Sequence, residues 1–97
     1  MGKIKLTELD PRWGAEDDNR YCLIFECPVP DCPMKYIAVP FKTFIGYDPE
    51  KHHIWTKAGD TFETISLSPS VDATRNKKGE LTGCLFHGSI TNGEVTW

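Results

Sequence analysis

The fold class this chain predicts is a small, mainly β domain, an antiparallel sheet stapled by a metal ion in the manner of a zinc ribbon. Three observations lead there. Short segments alternate apolar and polar residues at a period of two, beginning with Lys3-Ile4-Lys5-Leu6-Thr7 and ending with Glu94-Val95-Thr96-Trp97, which is the pattern of half-buried strands. Asn92-Gly93 lies between two such segments, and both residues tolerate the positive φ angles of a type I′ hairpin turn. Finally, Cys27 and Cys32 in one segment and Cys84 and His87 in another supply three thiolates and one imidazole, a donor set suited to tetrahedral zinc at spacings a metal-binding turn can span.

A chain of 97 residues makes one domain, here residues 1–97, that buries only about two-thirds of its unfolded surface, so its core gains from a staple. The hydrophobic fraction of 39% and charged fraction of 26% describe a globular chain and exclude a disordered or fibrous one. A net charge of −3 argues against a nucleic-acid partner, which needs clustered Lys and Arg. The basic run Arg75-Asn76-Lys77-Lys78 sits in a polar, Gly-flanked stretch and reads as a solvated loop. No segment approaches the roughly 18 apolar residues of a membrane span, and the N-terminus lacks the apolar run of a signal peptide. The expectation is therefore a cytoplasmic protein with no membrane partner, in which four cysteines serve a metal rather than disulfides.

The elements follow in order. Residues 3–7 form an edge strand guarded by lysines. Residues 10–19 carry Pro11, Gly14 and four acids and read as a loop, with Trp13 packing back on the core. Residues 21–27 are a strand whose alternation separates Cys22 from Cys27, so Cys22 reads as a small buried hydrophobe. Pro28, Pro30 and Pro33 then stiffen the Cys27/Cys32 loop. Residues 35–41 return as a second strand, with Pro40 marking its end or a sheet edge, and the two make a hairpin with the metal loop at its tip. Residues 44–51 are a connection with one helical turn after Asp48, Pro49 being suited to the first helical position. Residues 52–56 and 61–68 are paired strands around Ala58-Gly59-Asp60. Residues 72–80 are polar and without periodicity. Gly83 and Gly88 flank Cys84 and His87 and permit the tight backbone of a ligand-bearing turn.

Together these motifs resemble a family of small zinc-binding proteins widespread in bacteriophages and bacteria. The resemblance rests on the Cys-rich loop, the Leu67-Ser68-Pro69-Ser70 segment, Cys84-x-x-His87 and Ile90-x-x-Gly93-x-Val95-x-Trp97, and covers residues 25–97. It implies zinc at Cys27, Cys32, Cys84 and His87, and a phage or prophage origin. Many relatives hold their first cysteines closer, as Cys-x-Cys-Gly-Cys. Some relatives lie beside bacterial ubiquitin-like conjugation genes, where a peptidase role has been suggested.

Two functions follow. In the first, zinc is structural, four ligands close its shell, and the protein is an interaction module for a host or phage protein. In the second, the chain is a zinc- or serine-dependent hydrolase or peptidase of a ubiquitin-like system. Its candidates are Ser68 and Ser70 as nucleophile and His53, or the adjacent His52, as base. A Cys₃His shell leaves no position for a catalytic water, and neither a Gly-x-Ser-x-Gly elbow nor a His-Glu-x-x-His helix is present, so the interaction module is favoured. Sulfur-rich tetrahedral sites also accept ferrous iron, and Cys22 or His53 could replace one of the four ligands.

Overall fold

A computed structural model describes residues 2–33 and 35–97. The architecture is mainly β, as the alternation predicts. Strands β1 (Lys3–Lys5), β8 (Glu94–Thr96), β7 (His87–Thr91), β6 (Ser66–Asp72) and β5 (Thr56–Ala58) form one antiparallel sheet in that spatial order. Strands β2 (Arg12–Glu16), β3 (Asn19–Glu26) and β4 (Tyr36–Pro40) form a second.

One hydrophobic cluster draws on both sheets. Leu23, Phe25 and Val39 come from the smaller, and Val71, Ile90 and Val95 from the larger, with Phe86 and Ile65 between elements. Phe25 and Phe86 meet edge to face with ring centroids 5.8 Å apart. Each such fully buried side chain contributes on the order of 1.5–3 kcal/mol. The short 3₁₀ turn Leu6–Glu8 ties the sheets together, since the Leu6 amide donates to the Gly93 carbonyl and the Glu26 amide to the Leu9 carbonyl.

The β3/β4 hairpin, its Cys27/Cys32 tip and the edge position of Pro40 follow the sequence expectation. So does the closing hairpin: Asn92 and Gly93 have φ of 49° and 74°, and Thr91 pairs with Glu94 and Ser89 with Thr96. Around Asp48 the His52 amide donates to the Asp48 carbonyl at 2.8 Å, giving the expected single helical turn.

Four segments differ. The first strand stops at Lys5, because Leu6 turns inward into the core. Residues 12–16, expected as loop, are strand β2. Trp13 stacks on Phe62 at 4.8 Å and Arg20 lies 4.9 Å over its ring, while a bulge at Gly14/Ala15 absorbs the irregularity. The acids Asp17 and Asp18 supply the hairpin turn. Residues 52–55 are not a strand; β5 begins at Thr56, after the Trp55 amide has paired with the Pro40 carbonyl. Residues 61–64 form a turn closed by the Ile65 amide on the Thr61 carbonyl, so β6 runs later than expected and carries Ser68-Pro69-Ser70 inside it. No helix among the described residues is long and apolar enough to cross a membrane.

Candidate metal centre and active site

Two sites emerge near the start of β7 (His87–Thr91). The first is a trio of thiols. The Cys27/Cys32 loop at the tip of the β3/β4 hairpin meets Cys84, which precedes β7, and all three sulfurs lie within 4.8 Å of one another. The Cys27 and Cys84 sulfurs are 3.9 Å apart, and those of Cys32 and Cys84 3.4 Å. Three thiolates at about 2.3 Å from a tetrahedral ion stand about 3.8 Å apart, so these separations fit a metal. The backbone supports the same conclusion. The Val29 amide donates to Cys27 sulfur, the Phe86 amide to Cys84, and the Leu85 amide to Cys32 at 3.4 Å. Amide donors of this kind stabilise thiolate ligands and fix their direction. Asp31 and Gly83, each one residue before a cysteine, adopt positive φ of 63° and 92° to aim them. Burial pushes the Cys27 thiol up to about 12 and also raises Cys84, the behaviour of metal-free thiols whose protons an ion would displace. Cys22 lies outside this group, buried on β3 with its sulfur against Gly14, as its strand parity predicts.

His87 is not part of the trio. It is the first residue of β7, exposed, and lines an open groove of about 540 Å³ with Gly2, Lys3, Ser70, Ser89, Thr96 and Trp97. Register explains why Ser70 and His87 line the same groove. Asp72 pairs with His87 and Val71 with Gly88, while two extra residues of β6 are accommodated between Leu67 and Val71. Because Val71 is buried, alternation sends Ser70 and Asp72 to the outer face, and the buried Ile90 puts His87 and Ser89 on that face as well. The Asp72 carboxyl is held below the usual range first by the Thr74 hydroxyl, then by the Thr74 amide and the nearby His87 and Arg75 charges. Thr74 thus fixes Asp72 beside His87, with the amide bond measuring 3.0 Å.

The other candidates lie elsewhere. Ser68 pairs with Thr56 across β5 and β6 and does not line the groove. His53 packs edge-on against Trp55 at 4.4 Å, and His52 receives the Asp48 amide on Nδ1 at 3.0 Å. Sequence reasoning placed Ser70 among the nucleophiles but did not pair it with His87 or see Asp72. The available signal was the two-residue spacing of Ser70 and Asp72 on one strand face.

With this geometry in view, the comparison with known families is decisive: residues 3–97 match the family described as bacterial ubiquitination-like system serine protease (BubE). The chain belongs to the BubE family. No curated protein and no solved structure matches it. Nearly the whole chain is covered by the BubE match, so the thiol trio, Ser70 and His87 all fall within it.

Proposed function

We propose that this chain is a serine peptidase acting on a protein of a bacterial ubiquitination-like system, with Ser70 as nucleophile and His87 as general base. The observation that carries the reading is the shared groove: Ser70 and His87 line one open depression on the outer face of β6 and β7, with Asp72 opposite His87 in register. In this reading His87 takes the Ser70 hydroxyl proton as Ser70 Oγ attacks an acyl carbon, and later returns it to the leaving group. Asp72, anchored by Thr74, orients the imidazole and offsets the charge it gains. The family description supports the reaction class and the system.

Cys27, Cys32 and Cys84 would hold the metal, and the all-sulfur donor set favours zinc. Its contribution is structural: it joins the β3/β4 tip to the residue three positions before His87, and so sets where β7 begins. His87 is then released from the ligand role that its Cys84-x-x-His87 spacing suggests. The partner is a protein of the modifier system, in place of a more general host or phage partner.

The test is hydrolysis of a fluorogenic peptide ester by the zinc-loaded protein. Ser70→Ala should abolish turnover while Ser68→Ala retains it. Equal activity of wild type and Ser70→Ala would refute the assignment.

A further inference from the structure

A second depression, of about 350 Å³, lies between the two sheets and is lined by Tyr36, Ile37 and Ala38 of β4, by Trp55, and by Val71 and Asp72 of β6. Its walls are two strand edges. β4 is an edge strand of its sheet, and β5 covers β6 only over Ser66 to Ser68.

The direction of the free main-chain groups follows from the ladders. The Cys27 amide donates to the Lys35 carbonyl, and in an antiparallel pair such bonded pairs recur every second residue. Phe25/Ile37 and Leu23/Val39 are therefore the bonded pairs of β3 and β4. Tyr36, Ala38 and Pro40 turn their main-chain groups away from β3, and the Pro40 carbonyl accordingly accepts the Trp55 amide at 2.9 Å. On β6, the Ala73 amide donates to the Phe86 carbonyl at 2.9 Å. Val71 then faces Gly88, while the main-chain groups of Ser70 and Asp72 turn away from β7. The Ser70 carbonyl bears this out by receiving Trp55 Nε1 at 3.4 Å. Ala38 and Asp72 thus present N–H and C=O groups from opposite sides of one slot.

We propose that this slot takes an extended peptide segment of the substrate as an added strand, bonded through its main chain to Ala38 and Asp72. Outward-turned main-chain donors and acceptors on two strand edges are complementary to an extended chain, and β-addition is an established mode of peptide capture. The slot reaches Asp72, two residues along β6 from Ser70. Trp55 flanks the bound segment, and Arg75, which also lines the slot, is already engaged by the Gly79 carbonyl at 2.8 Å. Identifying the peptide as substrate rests on the proposed hydrolase; strand addition itself does not.

The experiment is amide hydrogen exchange by NMR on the zinc-loaded Ser70→Ala protein, with and without the blocked peptide acetyl-Thr-Val-Thr-Val-Thr-amide. In the free protein the Ala38 and Asp72 amides should exchange at least about tenfold faster than those of Ile37, Val39 and Val71. Peptide should slow both by about tenfold or more, and an analogue with its central amide replaced by an ester should bind several-fold more weakly. Equal protection of Ala38 and Ile37 in the free protein would overturn the proposal, as would peptide binding that leaves both edge amides unchanged. Edge protection in a protein whose wild type hydrolyses nothing would uphold the slot and refute the peptidase.

Discussion

Replacing His87 by Ala separates the two roles its spacing from Cys84 allows. The side chain is exposed at the first position of β7, outside the trio of Cys27, Cys32 and Cys84. Its loss should change stability by no more than about 0.5 kcal/mol, the usual effect at an exposed position without a packing role. Metal content should stay at the wild-type level, because the three sulfurs and their Val29, Phe86 and Leu85 amide donors are untouched. Turnover should fall by on the order of 10²–10⁴, the usual contribution of a general base. At about 1.36 kcal/mol per decade that is roughly 3–5.5 kcal/mol of barrier. The assay pairs elemental analysis of the purified variant with hydrolysis of the fluorogenic ester. Metal lost in proportion to activity would make His87 a ligand and refute the reasoning.

Other expectations follow from the same geometry. Cys22→Ser should keep metal and lose about 1–3 kcal/mol by burying a hydroxyl beside Gly14, whereas Cys84→Ser should lose metal and cooperative unfolding together; chemical denaturation with elemental analysis distinguishes them. Gly93→Ala should destabilise by about 2 kcal/mol or more, since Gly93 has φ of 74° and a Cβ there would lie 2.4 Å from the Glu63 carbonyl oxygen; thermal unfolding reads this directly. The folded-state Asp72 carboxyl lies below its ordinary value of 3.8, so its contribution to stability is present above that pH and is lost as pH falls through the lowered value. Asp72→Asn should accordingly be less stable than wild type at pH 7, and the difference should vanish in strong acid when both are unfolded by urea.

Local chemistry made parts of the molecule legible in the sequence. Two positive-φ-tolerant residues between alternating segments gave the β7/β8 turn, the prolines around Cys27 and Cys32 marked the loop that carries two thiols to Cys84, and parity on β3 turned Cys22 away from it. Strand β2 was hidden because Pro11, Gly14 and the acids near it are loop residues by local preference. Its pairing with β3 and the stacking of Trp13 on Phe62 override that preference. The start of β6 was misplaced because Thr61 and Thr64 bond each other in a turn at 2.8 Å and do not alternate across a sheet. A straight continuation of the Leu67/Ile90 register would set Ser70 opposite His87, and the bulge between Leu67 and Val71 moves Asp72 into that place while keeping Ser70 on the same face. Sequence alternation carries no record of that shift, so the placing of Asp72 across from His87 could not be read from it.

The proposed role of Ser70 is that of the activated nucleophile. It is tested most directly by treating the zinc-loaded protein with a fluorophosphonate and locating the adduct by tandem mass spectrometry. One phosphonyl group per chain on Ser70, absent in Ser70→Ala and much slower to form in His87→Ala, is the predicted result. An adduct on Ser68 or Ser89, or no adduct on correctly folded, metal-loaded protein, would contradict it.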